Sequence, residues 1–102
     1  MDREKIAREL VQIAKELISK DEVAEMFSQI DDDMRYLSIN FEFASTVTRE
    51  LEYLSSIIPD KRLANKASKL SNVAAALGGS GHRWMKKLAA LKSGIKTLQS
   101  GL

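Results

Sequence analysis

Residues 1–58 contain neither glycine nor proline, and that absence constrains the chain more than any motif in it. Glycine and proline are the residues that end helices and open tight turns, so a long stretch without either favours helix. Pro59 is the only proline, and the glycines are Gly78, Gly79, Gly81, Gly94 and Gly101. Two breaks are therefore written plainly, at Pro59-Asp60 and at Gly78-Gly79-Ser80-Gly81.

Between the breaks, apolar residues recur in alternating steps of four and three. The stripes are Ile6, Leu10, Ile13 and Leu17; Val23, Phe27, Ile30, Met34 and Leu37; Leu63, Ala67, Leu70, Ala74 and Leu77; and Trp84, Leu88, Leu91, Ile95 and Leu98. Such spacing keeps one face of a helix turned to a partner helix. The expected fold is all-α, a small bundle of four to five mostly antiparallel helices, because the connections are short. At 102 residues the chain is expected to be a single helical domain over 1–102, with an acidic half 1–60 and a basic half 61–102.

Two places are less plain. After Leu17 the strong apolar positions move to Val23 and Phe27, a slip of about 100° around a helix, which one rigid helix cannot turn toward one core. Ser19-Lys20-Asp21-Glu22 also reads as a capping box, so a tight turn is expected there. Further on, Leu37, Ile39, Phe41 and Phe43 alternate with polar residues at the period of a strand. A lone strand would lack a partner for its backbone groups, whereas Phe43, Val47, Leu51, Leu54 and Ile58 continue a helical stripe. The expectation is helix, bent or broken within Ser38–Asn40, with Asp31-Asp32-Asp33 at the positive end of its dipole.

Charge is distributed very unevenly. All fourteen acidic residues lie at or before Asp60, against seven basic ones in that span, a net −7. Residues 61–102 hold Lys61, Arg62, Lys66, Lys69, Arg83, Lys86, Lys87, Lys92 and Lys96 and no acid, a net +9 that the total of +2 conceals. One reading is internal, with acidic helices packed beside basic ones. A second is a polyanion such as DNA or RNA, for which Arg62, Lys66, Lys69, Arg83, Lys86, Lys87, Lys92 and Lys96 are the candidate contacts. A third is an acidic protein or an anionic membrane surface met by the last helix. Five of the six aromatics lie in the acidic half, which argues against a single-strand binder with stacking platforms in a basic groove. Lysine outnumbers arginine in the basic half, which suits phosphate contact better than base readout.

Motifs for chemistry are sparse. With no cysteine there is no thiolate ligand, thiol nucleophile or disulfide. His82 is the only histidine and has no acidic sequence neighbour to orient it, so it reads as idle and exposed. The glycine-rich segment 78–81 lacks the Gly-Lys-Ser/Thr of a phosphate-binding loop and reads as a turn with Ser80 as helix cap. Asp31-Asp32-Asp33 lacks the glycine around which a calcium loop spaces its ligands and reads as a helix start or a solvated acidic patch. The helix from Asp60 to Leu77 is rich in alanine and serine, offers little apolar bulk, and points to a second copy or partner for adequate burial. Trp84 is expected to anchor the last helix in the core.

The opening helix, Ile6-Ala7-Arg8-Glu9-Leu10-Val11-Gln12-Ile13-Ala14-Lys15-Glu16-Leu17-Ile18, resembles the N-terminal helices of small uncharacterised tailed-phage proteins. The resemblance implies a phage origin and assigns no activity. From the residues themselves, the expectation is a non-enzymatic structural or protein-interaction module that self-associates, with no cofactor and no metal. Duplex DNA bound through the basic half is the alternative. With neither a targeting segment nor about 20 consecutive apolar residues, no membrane insertion and a cytoplasmic location are expected.

Overall fold

The computed structural model describes residues 2–77 and 83–102, and for residues 15–19 the backbone only. Four helices form among them: α1 (Arg3–Leu37), α2 (Phe43–Ile57), α3 (Lys61–Ala76) and α4 (Trp84–Ser100). They make an all-α bundle, and no strand occurs among the described residues. The Gly78–Gly81 turn, the Ser80 cap and the placement of His82 lie outside the described residues.

The expected turn at Ser19–Glu22 does not form. α1 is one helix of 35 residues, about 52 Å long at 1.5 Å per residue, while α2, α3 and α4 have 15 to 17 residues each. With no glycine or proline to break it, the backbone keeps its hydrogen bonds straight through the phase slip. The slip is accommodated differently: residues 3–14 stand outside the bundle as an arm, every one of them exposed, and among the residues whose side chains are described the first buried position of the helix is Val23. The arm makes the molecule long and thin, 65 × 21 × 19 Å.

From Val23 onward the stripe Val23, Phe27, Ile30, Met34 and Leu37 is buried. It meets Ala44, Val47, Leu51, Leu54 and Ile58 of α2 and its C-terminal end, Ala67, Ala74 and Leu77 of α3 and its end, and Leu88, Leu91, Ile95 and Leu98 of α4 in one core. Trp84 is partly buried against that core. α2 packs against both α1 and α3, and α3 packs against α4. In the α3–α4 pair, Leu70 faces Gly94 and Leu63 faces Gly101, the order of antiparallel neighbours. A Cβ at Gly94 would run into the Leu70 side chain, so glycine here permits close approach of α3 and α4. Part of the small-residue set of α3 faces inward, with Ala67 and Ala74 fully buried and Ser71 nearly so, while Ser68, Ala75 and Ala76 are exposed.

The segment from Leu37 to Phe43 is the break between α1 and α2, not a strand. Ile39 and Asn40 donate their backbone N–H groups back to the Tyr36 carbonyl at 3.0 and 2.8 Å, which closes α1. Asn40 Oδ1 then accepts from the Glu42 N–H at 3.0 Å, a local turn that turns the chain into α2. Asp31-Asp32-Asp33 lie within α1, near its C-terminal end, and do not open a helix. The caps that do form are Asp2, accepting from Glu4 and Lys5 N–H, and Asp60, accepting from Arg62 and Leu63 N–H. The second lies at the expected Pro59-Asp60 break.

Candidate functional site

Three features qualify, and each follows from how the helices place residues. The first is the basic half. Arg62, Lys66 and Lys69 are exposed on the outer face of α3, opposite its buried Ala67, Ser71 and Ala74. On α4, Lys86, Lys92 and Lys96 are exposed, Lys87 is partly covered, and Arg83 is exposed just before the helix begins. Lys92 and Lys96 line a groove of about 350 Å³ with Asp31, Met34, Arg35 and Ser38 of α1 and its end, so an acid faces them across the cleft. Arg62, Lys66 and Lys69 are not among the residues lining that groove.

Among the described residues, no ion pair within 4 Å joins the two halves. The one ion pair within 4 Å among the described residues is Arg8–Glu4 on the arm, both exposed and one turn apart. Neutralisation of α3 and α4 by the acidic helices therefore acts across solvent, where it is weak and screened by salt.

The second feature is an acidic pair between α1 and α2. Glu50 stands on the core-facing side of α2 beside Leu51 and Leu54, and its two carboxylate oxygens are buried without a partner at ordinary hydrogen-bond geometry. Asp33 of α1 is also buried and accepts from Gln29 Nε2 at 3.2 Å. Burial pushes the Glu50 carboxyl up to about 8. Asp33 adds to the rise, through a proton-sharing contact looser than an ordinary hydrogen bond and through repulsion of a second negative charge. Glu50 can hold a proton at neutral pH, and its oxygens are shut off from solvent. Among the described residues, no group of three or more His, Asp or Glu side chains stands close enough to hold a metal ion.

The third feature is the arm, which sequence reasoning located as a helix but assigned to the core. Ile6, Leu10, Val11 and Ile13 are 42–61% exposed, on one side of a helix whose residues 3–14 are all exposed. The signal was present in the phase slip. Counting about 100° per residue, Ile6, Leu10 and Ile13 point roughly 100° away from the Val23–Leu37 stripe. Lys5, Glu9 and Gln12 occupy the direction in which the core would continue. At the base of the arm lies an open apolar groove of about 540 Å³, walled by Val23 and Phe27 of α1, Ile58 and Pro59 after α2, and Leu102. A smaller exposed apolar cluster sits at the other end of the bundle, where Tyr36 stacks on Phe43 at 5.2 Å and Ile39 and Phe41 face solvent.

No helix among the described residues is long and apolar enough to cross a membrane. No family model matches the chain, and neither a curated protein nor a solved structure matches it.

Proposed function

We propose that this chain is a non-enzymatic helical interaction module that self-associates through its N-terminal arm. The exposed apolar side of residues 6–14 carries this reading, because a contiguous apolar face held clear of the protein's own core is the usual mark of a contact surface. Its isolation adds support. A helix of about 12 residues is marginal in water by itself, so an arm of this length gains most by packing against something. The exposed cluster at Ile39 and Phe41 provides a second, smaller surface for a protein partner. A cytoplasmic location fits a chain without cysteine.

Sedimentation velocity at tens of micromolar tests the reading. The wild-type chain is expected to run as a dimer or larger, and Leu10→Glu as a monomer with an unchanged helical spectrum. A wild-type monomer throughout that range overturns it.

A second reading is favoured by a separate observation. α3 and α4 pack side by side, contain no acidic residue, and have no ion pair to the acidic helices within 4 Å among the described residues. Duplex DNA held through Arg62, Lys66, Lys69, Arg83, Lys86 and Lys87 would bind more weakly as salt rises, close to one unit of log–log slope for each phosphate neutralised. Reversing Lys86 and Lys87 to Glu would reduce that binding for all sequences alike.

A further inference from the structure

The arm reading leaves open which way two copies meet, and the ends of the apolar ridge decide it. Arg3, Ala7, Leu10, Ala14 and Asp21 succeed one another at steps of four, three, four and seven along α1, so they lie on one ridge of the helix. Arg3 and Asp21 are separated by eighteen residues, about five full turns, and therefore project in the same direction. Both are exposed, and neither forms an ion pair within 4 Å among the described residues. The ridge is thus apolar in its middle and oppositely charged at its two ends.

The rest of the arm is electrically balanced. Residues 2–14 carry three basic side chains, Arg3, Lys5 and Arg8, and three acidic ones, Asp2, Glu4 and Glu9. Neither an acidic partner, a basic partner nor an anionic lipid surface finds a matching excess of charge there. A second copy does. Laid antiparallel with Arg3 opposite the Asp21 position of the other copy, the ridge meets itself as its own complement. Each end then brings a cation to a carboxylate, and Leu10 lies against the Ala14 position. Laid parallel, the same ridge sets Arg3 against Arg3 and Asp21 against Asp21.

We infer that two copies of this chain pair arm to arm, antiparallel, with Arg3 of each opposite Asp21 of the other. This rests on the self-association proposed above and adds its direction and register. The two bundles then sit at opposite ends of a shared two-helix stem.

Charge reversal tests the register separately from association. The full chain is compared with Arg3→Asp, Asp21→Arg and the double variant by sedimentation, each checked for unchanged helical content. Each single reversal is expected to weaken the dimer about tenfold, because it turns two attractive contacts into two repulsive ones. The double variant is expected to return to within about threefold of wild type, since it restores Asp opposite Arg at both ends. Spin labels on Lys5→Cys, introduced into a chain that has no other cysteine, should lie about 21 Å apart along the stem. Labels about 10 Å apart, the spacing of side-by-side helices, would show a parallel pair and overturn the inference. So would single reversals that leave a wild-type dimer intact, and in that case the arm still associates, by another register. A dimer lost in Leu10→Glu but indifferent to both charges separates that failure from a wild-type monomer, which removes the association itself.

Discussion

Residues 3–14 and residues 23–37 belong to the same unbroken helix, and about half of each segment is apolar, so composition does not separate them. Their fates are opposite. In the second segment Phe27, Ile30 and Leu37 are almost wholly buried, while in the first Ile6, Leu10, Val11 and Ile13 remain exposed. The difference lies in phase, since the two stripes point about 100° apart and a straight helix can turn only one of them toward the bundle. A phase slip inside a helix without breakers is therefore a sign of two partners for one helix. Here one partner is the chain's own core, and the other is proposed to be a second copy.

Substitutions that remove the same side chain from the two regions should give the largest contrast. Leu51→Ala, at a fully buried position of α2, is expected to cost about 2–5 kcal/mol of folding stability. Leu10→Ala on the arm should cost less than about 0.5 kcal/mol in dilute solution, while weakening association. Denaturant melts at low protein concentration check both. Equal losses at the two sites would mean that the arm packs on the bundle.

The next effect concerns the buried acid, a feature of the bundle with no counterpart on the arm. Glu50 keeps its proton in the folded chain up to about pH 8 but loses it near 4.5 when unfolded. Between those values the folded state binds more protons, so stability falls as pH rises through this window and levels off above about 8. Glu50→Gln should remove that slope and raise stability at pH 8–9 by about 1–3 kcal/mol, the usual cost of an unsatisfied buried polar group. Thermal melts of both proteins at pH 5, 7 and 9 check it. Parallel curves for wild type and variant would show that Glu50 is not the group responsible.

Gly94→Ala is expected to give the smallest change. Alanine is about 1 kcal/mol better than glycine inside a helix, but its Cβ meets the end of the Leu70 side chain, whose shift off its rotamer costs about 0.5–1.5 kcal/mol. The two nearly cancel, leaving stability within about 0.5 kcal/mol of wild type. A loss above about 2 kcal/mol would show that Leu70 has nowhere to go.

Most of the fold was legible in the sequence because its signals are local. Pro59 and Asp60 set the α2–α3 break and its cap, and the stripes of α2, α3 and α4 face the core, buried except at Phe43, Leu63, Leu70 and Trp84, which are partly buried. The break between α1 and α2 falls within two residues of Ser38–Asn40, and the period-two alternation of Leu37–Phe43 yields to the helical stripe that follows it. The turn at Ser19–Glu22 was misplaced for an instructive reason. A capping box needs a chain that has already left helical geometry, and nothing before Ser19 makes it leave. The slip in phase was real, but it was read on the assumption that every apolar stripe must reach the same core. Less of the site was legible. Glu50 follows the stripe of α2 closely, yet its pairing with Asp33 needs the spatial neighbourhood of α1 and α2. Likewise, the distribution of the eight basic residues over several faces of α3 and α4 depends on helix orientation, which charge counting does not contain.

Hydrogen exchange measured at several protein concentrations tests most directly the claim that one helix serves two partners. Amides of residues 23–37 should exchange slowly and at a rate independent of concentration, because their protection comes from the chain's own core. Amides of residues 6–14 should exchange fast in dilute solution and become protected as concentration rises through the dissociation constant. Arm amides that stay fast while the protein dimerises, or that are already protected in the monomer, would contradict it.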